Sequence, residues 1–99
     1  MKIVKKLVDK IDEELLGAQT YAEMYVEQRS EGMTEWANTF RAVAEDELKH
    51  ATKMHDFAVA KIEKLKAVYN PSQEMLDKWE ASHKEYVDKA AWIKQMLTM

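Results

Sequence analysis

The chain has 99 residues, enough for one domain near the lower end of the sizes that bury a stable core. No cysteine is present, which excludes disulfides and thiolate metal sites. Acidic residues alternate with lysines, and the net charge is −3, which argues against nucleic-acid partners. Only two glycines and one proline interrupt the sequence, whereas a β-rich fold needs a turn roughly every 8–12 residues, so we predict an all-α fold.

The first predicted helix covers about residues 3–28. Its apolar side chains recur at the i, i+3, i+4, i+7 spacing of an amphipathic helix. The set predicted to face inward is Ile3, Val4, Leu7, Val8, Ile11, Leu15, Ala18, Ala22 and Tyr25. Gly17 lies inside this helix at a cost of about 1 kcal/mol relative to alanine, and such a glycine often marks the close approach of another backbone. Gly32 is predicted to end the helix with a positive φ, and Thr34 is predicted to be the N-cap of the next helix.

The second predicted helix covers about residues 35–69, and the third covers about residues 73–97. Pro71 separates them because proline disfavours the α conformation in the residue before it, and Ser72 is predicted to cap the third helix. The inward sets are Trp36, Phe40, Val43, Met54, Ala58, Ile62, Leu65 and Val68 on the second helix, and Leu76, Trp79, Tyr86, Ala90, Ile93 and Leu97 on the third.

Three helices of this length carry more apolar surface than one short chain can cover. At 1.5 Å per residue they are roughly 37–52 Å long, and 99 residues cannot bury every inward face over that distance. We therefore expect a homo-oligomer, either a dimer or a larger assembly.

The sequence gives no indication of a membrane partner. No apolar run approaches the roughly 18 residues that span a bilayer. The N-terminal segment lacks the long apolar stretch and the small-residue cleavage site of a signal peptide. We therefore expect no membrane association and a cytoplasmic location.

Two glutamates and a histidine lie where the inward faces should be apolar. Glu14 is on the first helix, and Glu47 and His50 are on the second, with Ala51 as the alternative inward residue to His50. An unpaired buried carboxylate is costly, so it must be protonated, ion-paired or bound to a cation. Counted from a turn near residue 32, Glu14 and His50 are equally distant, and Glu47 lies about 4.5 Å nearer along the axis. Carboxylate and imidazole ligands favour iron, manganese or zinc over magnesium or calcium.

This arrangement resembles the first helix pair of the ferritin-like superfamily, and its rubrerythrin-like members in particular. Glu14 is followed after seven residues by Tyr21 and after 33 residues by Glu47, where the segment Glu-Leu-Lys-His-Ala begins. In that superfamily a glutamate of the first helix is followed by a tyrosine and by Glu-x-x-His-Ala at the same spacings. The similarity covers roughly residues 7–58, and Tyr21 is read either as a core residue or as a hydrogen-bond donor to the site.

The resemblance implies a three-helix half-bundle that completes a four-helix bundle by dimerisation, as in half-ferritin families such as the encapsulated ferritins. Two chains would bring two copies of Glu14, Glu47 and His50 to a two-fold axis. The implied cofactor is iron, two per dimer, with manganese or zinc as alternatives. Glu47 would bridge the two metals, and Glu14 and His50 would each bind one of them, so these three are the predicted catalytic and metal-binding residues.

The activity implied by the resemblance is oxidation of Fe²⁺ by O₂ or peroxide, for iron handling or peroxide defence. Two other classes of function remain open. The chain would otherwise be a helical assembly or adapter module without activity, or a metal sensor that uses the same residues without turnover. No shell-targeting peptide is recognisable in residues 94–99, so an encapsulin shell is not an expected partner.

Two further histidines are predicted to lie outside the site. Glu80 and His83 form a second Glu-x-x-His pair on the third helix. If the chain folds back near residue 70, the position level with Glu47 is near residue 93, which leaves Glu80 about 20 Å away. His55 should point about 140° away from His50 on the same helix, and we expect it on the surface.

Overall fold

The computed structural model describes residues 2–99 as three α-helices joined by two short turns. Helix α1 spans Lys2–Ser30, α2 spans Thr34–Val68 and α3 spans Gln73–Met96. No strand occurs within the described range, so the predicted all-α class and the three helices are confirmed. The predicted bounds differ from the observed ones by at most two residues at each end. None of the three helices has a stretch that is both apolar and long enough to cross a bilayer.

The two turns show one correct cap prediction and one wrong one. Gly32 takes a φ of 78° and closes α1, as its position predicted. The hydroxyl of Ser72 caps α3 by accepting a hydrogen bond from the Met75 amide at 3.2 Å, also as predicted. Thr34 is not the N-cap of α2. Met33 occupies that position without a side-chain hydrogen bond, because the helical conformation already begins at Thr34.

Helices α1 and α2 form an antiparallel pair with a seam of buried alanines between them. The fully buried alanines on this seam are Ala18, Ala22, Ala44, Ala51 and Ala58. Small side chains let two helix axes approach closely, because the side chains at the contact set the distance between the axes. Larger buried side chains, among them Ile11, Leu15 and Tyr25, complete the core beside this seam.

Helix α3 lies along one side of the pair and packs more closely on α1 than on α2. The resulting molecule is a rod of 54 × 17 × 17 Å. Trp79, Ala90 and Ile93 on α3 and Leu97 at its C-cap are buried, as predicted. One side of the α1/α2 pair is therefore covered, and the other is not.

Three apolar residues that were predicted to face inward are exposed. Ile3 is 42% exposed and Trp36 is 65% exposed, while Val68 is exposed at the end of α2. Ile3 lies three turns before Glu14, and Trp36 lies three turns before Glu47, so both share a helix face with those glutamates. The predictions for Ile3 and Trp36 are wrong for a single chain. Helix α3 packs on the side of the α1/α2 pair opposite to Glu14 and Glu47, so it does not cover these two residues.

His55 forms the main contact between α2 and α3, and the prediction that it lies on the surface is wrong. It is only 8% exposed. Its ring stacks on Tyr86 with centroids 4.0 Å apart and planes 11° apart, and Trp79 lies at 5.6 Å. Its Nε2 atom is 2.7 Å from Nδ1 of His83. His55 does point away from His50, but α3 covers that side of α2.

The contacts between α2 and α3 establish a simple antiparallel hairpin. His55 meets His83, and Thr52 meets Tyr86 through a hydroxyl–hydroxyl hydrogen bond of 2.9 Å. The midpoint in sequence between the two residues of each pair is residue 69, close to the predicted fold-back point. The level of Glu80 and His83 along the rod is therefore well separated from that of Glu47.

This contact predicts how stability depends on pH. Burial lowers the pKa of His55, and the nearby His83 lowers it further. A hydrogen bond with Asp56 acts in the opposite direction and raises it. The unfolded chain therefore takes up a proton near the ordinary histidine pKa of about 6.5, at a pH where folded His55 stays neutral. We expect the contribution of His55 to the free energy of unfolding of the metal-free protein to fall as the pH is lowered from about 7.5 to about 5.5.

Urea denaturation across this pH range measures the effect. His55→Phe keeps an aromatic ring against Tyr86 but does not titrate, so its stability should depend less on pH. Glu80→Gln is the matched control because Glu80 is exposed one turn before His83, and it should keep the wild-type dependence. Equal pH dependence in His55→Phe and the wild type would contradict this explanation.

Candidate metal centre

Glu14, Glu47 and His50 lie together on the face of the α1/α2 pair that α3 leaves open. Each of the three side chains offers one potential ligand atom, and these three atoms lie within 4.8 Å of one another. Oε2 of Glu14 is 3.4 Å from Nδ1 of His50. Between residues 2 and 99, this is the one group of three or more histidines, aspartates and glutamates close enough to hold a metal ion.

The local sequence explains why these three residues meet. Glu47 and His50 are three residues apart on α2, so they share a helix face. Glu14 comes from the antiparallel helix α1, and the turn at Gly32 places it level with His50, as the residue count predicted. Both glutamates are half-buried, and His50 is exposed, while the neighbouring Ala51 takes the buried position on the seam.

The two carboxyl groups interact directly. A hydrogen bond with Glu14 raises the pKa of Glu47, burial and the negative charge of Glu14 raise it further, and His50 opposes the shift. Two carboxylates that share a half-buried position repel each other unless a proton or another cation lies between them. The chemistry of this donor set therefore fits a cation, and the imidazole beside it favours a transition metal over magnesium or calcium.

Gly17 leaves the space into which the Glu47 carboxylate extends. A Cβ atom built on Gly17 would lie 3.0 Å from Oε2 and 3.2 Å from Cδ of Glu47. The close approach predicted at this glycine is present, but the approaching group is a carboxylate and not a backbone. Sequence analysis did not assign Gly17 to the site, although it follows Glu14 by three residues and so shares its helix face.

The tyrosines near the site are packing residues. Tyr21 is half-buried and its ring lies 6.3 Å from that of Phe40. Tyr25 is buried, and its hydroxyl accepts a hydrogen bond from Arg29 at 3.3 Å. Neither hydroxyl bonds to Glu14 or Glu47 within the part of the chain that the structure describes.

Glu80 and His83 do not belong to this group. His83 contacts His55 on the opposite side of α2, and Glu80 is exposed. His55 is likewise occupied by the contact with α3. These positions agree with the height argument made from the sequence, which placed Glu80 about 20 Å from Glu47.

The side of the site that faces away from α3 is apolar and open. We call it the open face and define it by Ile3, Phe40, Met54, Phe57 and Trp36, which surround the level of Glu14 and Glu47. Ile3, Trp36 and Phe57 are exposed, and Phe40 and Met54 are half-buried. Ile3 and Trp36 lie toward opposite ends of the open face, each about three turns from the glutamate on its own helix.

The chain matches a known protein family. The family model described as Rubrerythrin matches residues 5–97, which include Glu14, Glu47 and His50, all of α2 and α3, and all but the first three residues of α1. The match extends beyond residues 7–58, where the sequence resemblance was noted, and covers α3. Neither a curated protein nor a solved structure matches the chain.

The carboxyl pair predicts the behaviour of the metal-free protein. Because the folded-state pKa of Glu47 is raised, its protonated form contributes stability that is present below about pH 4.5 and lost as the pH rises through the folded-state value. Glu47→Gln resembles the protonated carboxyl group. We therefore expect this variant to be more stable than the wild type at neutral pH when no metal is present.

Urea denaturation at neutral pH in the presence of a chelator measures this difference. Glu45→Gln is the matched control, since Glu45 lies on the same helix but pairs with Arg41 at 2.9 Å. That substitution should give no gain in stability. If Glu47→Gln were no more stable than Glu45→Gln, the two carboxyl groups would not repel each other as described.

Proposed function

Because the chain belongs to the rubrerythrin family, we propose that it is a non-haem di-iron protein that oxidises Fe²⁺ with O₂ or peroxide. The observation that carries this proposal is the grouping of Glu14, Glu47 and His50 within 4.8 Å. Domains of this ferritin-like family typically bind iron, and the three side chains present the carboxylate and imidazole ligands that iron accepts. The proposed role is iron handling or peroxide defence.

Each of the three residues has a defined part in the proposed site. Glu14 and His50 would each bind one metal ion, and Glu47 would bind both. Bound iron would supply the redox chemistry, and the protein would hold it with a coordination position left open. Because the pKa of Glu47 is raised, protons compete with the metal for this carboxyl group as the pH falls, so metal affinity should rise with pH.

The proposed site is completed by a second copy of the chain. One chain offers two carboxylates and one imidazole, whereas di-iron bundles use a glutamate from each of two helices and a Glu-x-x-His pair from each of the other two. An isologous dimer across a two-fold axis supplies both sets. The open face supports this proposal, because a second α1/α2 pair would bury Ile3, Trp36 and Phe57, which are exposed along the face that carries the metal ligands.

Iron loading tests the proposed activity. Purified metal-free protein is mixed with Fe²⁺ in air, and bound iron and ultraviolet–visible absorbance are measured. About one iron per chain and an absorbance change on oxidation would support the proposal. Binding without turnover would instead indicate a metal sensor, and no binding of iron, manganese or zinc would indicate a helical assembly or adapter module.

Single substitutions test the assignment of the ligands. Replacing Glu14, Glu47 or His50 by alanine should remove most of the bound iron while circular dichroism shows intact helices, because each supplies a donor at the same site. Glu80→Ala and His83→Ala are the controls, since these residues offer the same chemistry at a different level. They should keep wild-type iron content. Full iron occupancy in the Glu14, Glu47 or His50 variants would refute the assignment.

The shared site predicts that metal binding and dimerisation are coupled. A ligand that binds only the assembled state stabilises that state by mass action. Removal of iron by a chelator should therefore raise the dissociation constant of the dimer about tenfold or more, as measured by sedimentation or native mass spectrometry. A monomer that holds iron at full stoichiometry would rule out the shared site.

A matched pair of variants tests the surface used for dimerisation. Trp36→Glu places a charge on the open face and should dissociate the dimer without removing a ligand. Leu16→Glu is the control, because Leu16 is 63% exposed, similar to Trp36 at 65%, but lies on the opposite side of α1 from Glu14. The control should remain dimeric.

A further inference from the structure

We infer that Gly17 is a positioning residue of the metal site, because the missing side chain at this position allows the Glu47 carboxylate to lie beside Glu14. The role toward the metal rests on the proposed function. The contact between Gly17 and Glu47 does not, because it is a property of the metal-free chain. The effect of Gly17 on metal binding can be tested only with metal, whereas its contact with Glu47 can be tested without metal.

The backbone gives no reason for a glycine at position 17. Gly17 lies in the middle of α1, whereas Gly32 alone has a positive φ among the glycines of the described chain. A glycine inside a helix is destabilising relative to alanine, because it loses more conformational freedom on folding. Alanine would thus favour the helix, and the use of glycine requires another explanation.

Space for one particular side chain provides that explanation. The three heavy atoms nearest to a Cβ built on Gly17 all belong to Glu47: Oε2 at 3.0 Å, Cδ at 3.2 Å and Cγ at 3.7 Å. No backbone atom of α2 is among them. A methyl group at position 17 would therefore press on the carboxylate and displace it, without separating the two helices.

Displacement of this carboxylate changes the site more than it changes the fold. Glu47 belongs to the proposed ligand set and interacts with both Glu14 and His50. Metal sites depend on ligand positions to within a few tenths of an ångström, and loss of a supporting residue typically weakens metal binding by about 10–100-fold. Gly17→Ala should therefore weaken metal binding while it favours the helix.

The first experiment measures metal affinity. Metal-free wild type and Gly17→Ala are titrated with Fe²⁺ under anaerobic conditions, and we expect binding to weaken by about 10–100-fold in the variant. Thr20→Ala is the matched control, since it also raises helix propensity on α1 but replaces an exposed residue whose hydroxyl bonds to the Leu16 carbonyl at 2.8 Å. It should bind Fe²⁺ like the wild type. Unchanged affinity in Gly17→Ala would overturn the role in metal binding.

The second experiment needs no metal. Free energies of unfolding are measured in a chelator for the wild type, Gly17→Ala, Glu47→Ala and the double variant. Gly17→Ala should be more stabilising when Glu47 is replaced by alanine, because the added Cβ then meets open space. Additive effects would overturn the inference, since the two positions would not interact.

The two experiments separate this inference from the proposed function. If the wild type binds no metal but the double-mutant cycle shows coupling, the proposed function fails, and Gly17 still positions the Glu47 carboxylate. If the wild type binds Fe²⁺ and the cycle shows no coupling, the proposed function stands and the inference about Gly17 fails.

Discussion

The repulsion between two carboxylates that face each other across one helix seam is the constraint on which this structure depends. Glu14 and Glu47 are half-buried, and the hydrogen-bonding position and negative charge of Glu14, together with burial, raise the pKa of Glu47. Such a pair weakens a metal-free bundle, because like charges in a poorly solvated position are costly. The alanine seam and Gly17 nevertheless bring the two groups together. The fold thus favours the geometry of the site over its own stability.

The two sides of the α1/α2 pair have different physical characters. One side is closed by α3 through His55, Trp79 and Tyr86, which form stacked and hydrogen-bonded contacts within the chain. The other side carries the carboxylates and exposes large apolar groups such as Trp36. One chain therefore covers one of its two apolar surfaces, which is the arrangement that a half-bundle requires if a second copy supplies the rest.

Local rules were sufficient to predict the helices, two of the three caps or turn residues, and the meeting of Glu14 with His50. Periodicity identifies apolar positions, the φ of Gly32 fixes the turn, and counting from that turn fixes the axial level. Periodicity does not show which neighbouring helix covers a face. For this reason Trp36 was predicted to be buried and is exposed, and His55 was predicted to be exposed and is buried.

Gly17 and Thr34 show a second limit of sequence reasoning. A glycine in a helix signals close approach, but only the three-dimensional arrangement shows that the approaching group is the Glu47 carboxylate. A threonine before a helix is a good cap by type, but here Thr34 is already the first helical residue, and the N-cap position falls one residue earlier, on Met33. In both cases the residue type was informative, and the identity of its partner depended on tertiary structure.

The turn at Gly32 also restricts how the length of this protein can change during evolution. Glu14 and His50 meet because equal numbers of residues separate each of them from that turn. Insertion or deletion of one residue in either helix between them would move one ligand about 1.5 Å along the axis and rotate it by about 100°. The short connection between Val68 and Gln73 has no such role, because it joins α2 to α3, and α3 contributes no residue to the Glu14–Glu47–His50 group. Changes in length should therefore accumulate after Val68 and be eliminated between Glu14 and His50.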